Sequence, residues 1–188
     1  ENPTDQYDRL SDTVDADTGP IYYFDFAGRA FRTQSQRFVL SGRDEHDAFR
    51  SLLYALAGQA SELWVPDWQA SLRLLDAVAS DATTITAAWC GYTLFGDEAA
   101  NRQDLRIELL DGTVLYRRIT ASIATGLVSE TLTLDSALGV SIDPAQVRQI
   151  NWLNVGALAS DVVQIEHDTD ADGTAVCTLN WQAVKSDV

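Results

Sequence analysis

Residues 104–119 read DLRIELLDGTVLYRRI, and the fold class turns on them. Two alternating runs flank Asp111-Gly112, a pair that readily adopts the left-handed conformations of a two-residue hairpin turn. The stretch therefore predicts two antiparallel strands. Outward from it, SLRLLDAV (71–78), TTITAAW (83–89) and GYTLF (91–95) come before. ETLTLD (130–135), VRQINWLNVGAL (147–158), DVVQIEHD (161–168) and TAVCTLNWQAV (174–184) come after. Short strand-like runs at roughly ten-residue spacing, with turn residues between them, indicate a β-sandwich or barrel.

One helix interrupts this pattern. In DEHDAFRSLLYALAGQASELWVPDW (44–68), Phe49, Leu52, Leu53 and Leu56 fall at i, i+3, i+4 and i+7 and share a face. Ser41 or Asp44 suits the N-cap, Asp44, Glu45 and Asp47 suit the positive end of the dipole, and Gly58 supplies a left-handed stop. A proline between Trp64 and Trp68 then turns the chain sharply. Before the helix, IYYFDFAGRAF (21–31) reads as two strands around Gly28, and SQRFVLSG (35–42) as another. The expected class is mainly β (α+β), sandwich- or barrel-like, with one prominent amphipathic helix. Residues 1–20 form an acidic extended arm or linker, 21–80 a strand-helix-strand portion, and 81–188 the sandwich- or barrel-like portion.

The chain has 188 residues, 46% hydrophobic and 22% charged, enough to fill a core. Its 28 acidic residues against 13 Lys and Arg give a net charge of −15. No basic stripe gathers, so direct nucleic-acid contact is not expected. No run approaches the roughly 18–20 apolar residues of a membrane span. A start at Glu1 and the absence of methionine fit a processed form or a piece of a longer product. Cys90 and Cys177 lie in apolar, strand-like runs, where a thiol acts as a small buried hydrophobe, and the cytoplasm is the default compartment.

Several patterns carry possible chemistry. Asp44, His46 and Asp47 bring ligand types together at a helix start, but a metal or hydrolytic site needs further ligands converging on it, and the other histidine, His167, is distant in sequence. Dipole-compatible capping is the expected role. Asp168, Asp170, Asp172 and Gly173 reproduce the opening of a calcium loop. The twelfth position, however, is Leu179 instead of a glutamate, and the flanks read as strands, so the expectation is a polar hairpin tip and at most a weak cation site. No nucleophile elbow, phosphate loop or dinucleotide fingerprint occurs, and no cofactor is expected. Trp64, Trp68, Trp89, Trp152 and Trp181 are expected as core or interface anchors, with a sugar-stacking platform as the alternative.

The order DEHDAFRSLLYALAG, aromatic–Val–Pro–x–Trp, DLRIELLDGTVLYRRI and SDVVQIEHDTDADGTAVCTLNWQAV resembles minor tail proteins of long-tailed bacteriophages and prophages. The likeness spans most of residues 30–185, and the LLYALAG…LWVPDW block is its most specific part. The resemblance implies a non-enzymatic virion component of the tail tip or baseplate, assembled in the host cytoplasm, and carries over no catalytic residue. Partners would be copies of itself in a ring-like assembly and other tail proteins. Trp64, Pro66, Trp68, Tyr54 and Arg50 are the candidate interface residues. A carbohydrate-binding β-sandwich module aiding host-surface attachment is the alternative.

Overall fold

The structure, a computed structural model, describes residues 3–15, 17, 19, 21–97, 99, 102–168 and 173–184; for residues 10 and 26–30 it describes the backbone. The fold is mainly β, with 52% of the described residues in strands and 16% helical. In chain order come β1 (Thr4–Val14), β2 (Tyr22–Ser41), α1 (Gly42–Leu56), β3 (Leu63–Pro66), β4 (Thr84–Ala88) and α2 (Tyr92–Phe95). β5 (Asp104–Leu109), β6 (Val114–Thr125), β7 (Ser129–Leu134), β8 (Val147–Leu158), β9 (Ile165–His167) and β10 (Thr174–Ala183) follow. Among the described residues no helix is long and apolar enough to cross a membrane.

The chain divides into two compact units, one taking the chain up to Leu63 with Gly156–Val184, the other Trp64–Val155. Residues 156–184, which the sequence groups with the second portion, thus return to the first. In the first unit β2 pairs with β1 on one side and β10 on the other, both antiparallel. The two strands expected around Gly28 are one, β2, but its register with β1 shifts at that glycine. Arg9 lies opposite Ala30 and Ser11 opposite Asp25, so residues 26–29 of β2 bulge opposite a single residue of β1. The acidic segment expected as an arm is itself a strand over Thr4–Val14.

The inner face of β2 is unusually polar. Arg32, Gln34 and Gln36 are buried at alternate positions. Arg32 and the Gln36 side-chain carbonyl are answered by groups remote in sequence, since a buried polar group without a partner is costly, while Gln36 Nε2 has no partner among the described residues. The Arg32 guanidinium donates to both oxygens of Asp5, at 2.9 and 3.0 Å, and the Trp181 indole N–H donates to Gln36 Oε1 at 3.2 Å. On β10, Ala175, Cys177, Leu179 and Trp181 alternate inward. α1 packs on this face through Phe49, whose ring lies 5.4 Å from that of Phe38.

The buried stripe of α1 is His46, Phe49, Leu53 and Leu56, at i, i+3, i+7 and i+10. Leu53 is half-buried and Leu52, expected on that face, is 38% exposed. Ser41 is the N-cap, but its side chain makes no capping bond; its N–H donates at 2.7 Å to Oε2 of Glu45, one position beyond the residue that would close a capping box. Asp44 lies inside the helix. The left-handed stop falls one residue early, on Ala57 (φ 49°), with Gly58 (φ 68°) continuing it.

In the second unit the strands run β8–β5–β6–β7–β4 in antiparallel register, with β3 also paired to β8. Alternate residues of each strand enter one core: Ile85 and Ala87, Leu105 and Ile107, Leu132 and Leu134, Ile150 and Trp152. The β5–β6 hairpin holds as read, Asp104 opposite Arg118 through Glu108 opposite Val114. Its loop has three residues, not two. Leu109 N–H bonds Thr113 O at 2.9 Å around Leu110, Asp111 and Gly112, and Gly112 takes the left-handed position at φ 88°.

Two other runs depart from expectation. Residues 71–78 bury Leu72, Leu74 and Val78 but form no strand of their own: Leu74 bridges Ala87 of β4, Val78 bridges Ile142, and the Ser71 N–H donates to Ile150 O of β8 at 2.9 Å. GYTLF forms the helical turn α2 instead of a strand, after Gly91 at φ 78°.

Candidate functional site

The turn after β3 carries the site. Pro66 closes the strand, and Asp67 is buried beneath the bend. Asp67 Oδ1 accepts from the Gln69 and Trp152 backbone N–H groups, each at 3.2 Å, and Oδ2 accepts from the Ser71 hydroxyl at 2.6 Å. The Asp67 N–H donates to Trp152 O at 2.9 Å. This bracing holds Trp68 at φ 57°, a left-handed conformation that costs a bulky residue about 1–3 kcal/mol and persists only where the surroundings impose it. Its ring stands out from the core as a result.

Facing it, the Arg106 guanidinium carbon lies 5.1 Å from the centre of the Trp68 ring, a cation–π contact. Arg106 is fixed from behind by Glu108 at 2.5 Å, and Glu108 also accepts from Arg148 at 2.7 Å and Gln149 at 2.9 Å. The Arg106 hydrogen bond above all, with help from Gln149, holds the Glu108 carboxyl below its ordinary value despite burial. The groove so formed encloses about 840 Å³, lined chiefly by Trp64, Pro66, Trp68, Tyr116, Arg106 and Arg118. Trp64, Trp68 and Tyr116 remain 46%, 42% and 58% exposed. On its lining Arg118 grips Asp104 through two bonds of 2.9 Å and donates its backbone N–H to Asp135 at 3.0 Å. Aromatic faces beside immobilised guanidinium planes suit a docking surface: they offer apolar area with little side-chain freedom left to lose.

Trp64, Pro66 and Trp68 are thus brought together as sequence spacing suggests. Tyr54 and Arg50 are exposed on α1 in the first unit and line no part of this groove; Arg50 sits 4.0 Å from Asp47. Trp152 and Trp181 are core residues. Tyr116, Arg106 and Arg118 escape sequence reading because a hairpin's alternation does not say which outward residues share a concave surface.

The histidines also differ from expectation. His46 is buried, and its ring packs 5.6 Å from that of His167, which the β9–β10 pairing brings back beside α1. Asp44 and Asp47 stay exposed. Among the described residues no three His, Cys, Asp or Glu side chains gather as a metal site would require. Asp168 is exposed, its N–H bonded to Thr174 O at 2.9 Å; Asp170 and Asp172 lie outside the described residues.

Both cysteines are free. Cys177 is buried as expected, but Cys90 is exposed, in the loop between β4 and α2. There Glu130 of β7, wholly buried, accepts from the Cys90 thiol and N–H and the Tyr92 N–H, each at 3.2 Å, and from the Thr93 N–H at 2.9 Å. Burial first, and the Glu130 hydrogen bond second, push the Cys90 thiol up to about 11 from 9.0. Such a thiol is not primed as a nucleophile. Alkylation of Cys90 by iodoacetamide at neutral pH, followed by mass spectrometry, is expected to run on the order of tenfold slower than for an unperturbed thiol, because the thiolate fraction falls about a hundredfold while the more basic thiolate is intrinsically more nucleophilic. Labelling at the free-thiol rate would contradict this arrangement.

A comparison with protein-family models finds no match for this chain, and a comparison with curated proteins finds none either.

Proposed function

We propose that the chain is a structural virion component, a tail-tip or baseplate subunit of a long-tailed phage or prophage. In this reading it joins the tail tube to the host-recognition apparatus, working without catalysis through contacts with its own copies in a ring-like assembly and with other tail proteins. The sequence resemblance supplies the setting. The observation that carries the reading is the β1–β2 ribbon. Its strands pair from Thr4 opposite Ser35 to Val14 opposite Tyr22, whereas β10 joins β2 only from Thr33 onward. Among the described residues, β1 is therefore the one strand that pairs with residues 22–32 of β2, and Tyr7, Val14, Tyr22 and Tyr23 are exposed along the ribbon. A two-stranded ribbon is marginal in water by itself, and exposed aromatics on it are the kind of surface a neighbouring subunit covers.

Replacing Asp12–Phe24 with Asn-Gly keeps the Ser11–Asp25 pair as the closing pair of a short hairpin and removes the distal ribbon. Expected outcomes are an unchanged fold by circular dichroism and loss of ring or particle assembly by mass photometry and electron microscopy. Immunogold labelling of purified particles should find several copies at the tail tip. Assembly that survives the shortening, or label confined to the capsid, would refute the reading. The stacked aromatics of the groove favour one other reading, a carbohydrate-binding module aiding attachment. Glycan binding by a chain that never self-associates would select it.

A further inference from the structure

We propose that the groove between Trp64, Trp68 and Tyr116 receives the distal end of the β1–β2 ribbon of a second copy, making a head-to-tail contact. This rests on the assembly reading and deepens it by naming the two surfaces. Charge points to the pairing. In a chain of net charge −15, the groove is lined by three arginines, Arg106, Arg117 and Arg118, against two aspartates, Asp104 and Asp135, and Glu108 behind Arg106 is shared with a fourth arginine, Arg148. Arg117 bonds carbonyl oxygens, those of Ala137 at 3.0 and 2.6 Å and Leu138 at 2.9 Å, which leave its positive charge in place. The ribbon end has the opposite character: Asp12, Asp15 and Asp17 are exposed there, beside exposed Tyr22 and Tyr23.

Chemistry agrees with charge. Exposed Trp, Tyr and Arg are the side chains that concentrate binding energy at protein interfaces, and aromatic pairs with opposed charges at their rim give both contact area and register. A neutral sugar would use the aromatic faces and leave both the groove's positive charge and the ribbon's exposed aromatics unanswered. Because the two surfaces belong to different parts of the chain, the contact is heterologous. Repeated, it closes a ring where the rotation allows and extends a filament otherwise.

The test mixes two full-length variants. One carries Trp64→Ala and Trp68→Gly, glycine being at ease in the left-handed position, so that the groove loses its rings and keeps its backbone. The other is the ribbon-shortened chain. In sedimentation velocity the wild type should self-associate with concentration, weakening as salt is raised. Each variant alone should bind itself at least tenfold more weakly. Their equimolar mixture should give a one-to-one heterodimer and nothing larger, since only one intact groove–ribbon contact is then available. A groove variant that assembles like the wild type, or a mixture that stays monomeric while the wild type assembles, overturns this pairing and leaves the assembly reading standing. A wild type that remains monomeric at every concentration overturns both. Loss of glycan binding in the groove variant, with self-association intact, assigns the groove to a sugar instead.

Discussion

Glu130→Gln is expected to lower the unfolding free energy by about 2–5 kcal/mol, read as a drop in urea midpoint at unchanged slope. Glu130 is completely buried and points from β7 into the core beside Leu132 and Leu134. Its two oxygens together accept three backbone N–H groups and one thiol from residues 90–93. Glutamine matches the shape but turns one acceptor into a donor facing other donors, and each buried group stripped of its partner costs about 1–3 kcal/mol. Acid should erode the same contribution. Burial alone would raise the Glu130 pKa, but the donors from Thr93, Cys90 and Tyr92 outweigh it and leave the carboxyl below its ordinary 4.5. A folded pKa below the unfolded one means the stabilisation is complete above the unfolded value and disappears as pH falls through the folded one. The gap in stability between wild type and variant should therefore be constant near neutrality and narrow below about pH 4.5. A variant as stable as the wild type at pH 7, or a gap that widens in acid, would refute this account.

Glu130 also marks where local sequence stops being informative. The 104–119 hairpin is legible because everything it needs is local: alternation, a turn glycine, and partners within a few residues. GYTLF looks no different from a strand, yet the N–H groups of Tyr92 and Thr93 are claimed by a carboxylate nearly forty positions on, and a helical turn results. β1 is hidden for a similar reason. Acidic and poor in large apolar residues, it carries little strand signal of its own, and its pairing is supplied by β2. On β2 itself, Arg32, Gln34 and Gln36 occupy inward positions where a binary pattern expects apolar residues; Asp5 and Trp181, remote in sequence, make that burial tolerable. The groove was half legible. An aromatic–proline turn exposes its tryptophans visibly, but Arg106, Arg118 and Tyr116 become its neighbours only through the β5–β6 register and the pairing of β5 with β8.

Asp67→Ala should separate scaffold from contact at that groove. The substitution strips an acceptor from the Gln69 and Trp152 N–H groups and from the Ser71 hydroxyl, under a residue that is itself buried. About 2–4 kcal/mol of stability should go, by the cost of orphaned buried donors. The consequence reaches further than stability, because these bonds are what hold Trp68 in its left-handed conformation. Released, Trp68 gains the roughly 1–3 kcal/mol available in ordinary backbone regions and leaves its place over Arg106. Self-association should fail along with the turn. Trp68→Gly provides the contrast: glycine accepts φ 57° without strain, the half-exposed ring contributes little to folding, and stability should stay within about 1 kcal/mol of wild type. Association should be lost all the same. Urea unfolding followed by circular dichroism, beside sedimentation velocity at temperatures where both variants are folded, distinguishes the two. An Asp67→Ala chain with the wild-type midpoint would show that the bracing does not hold the turn, and a Trp68→Gly chain that assembles normally would show that the ring it presents is not what neighbouring copies grip.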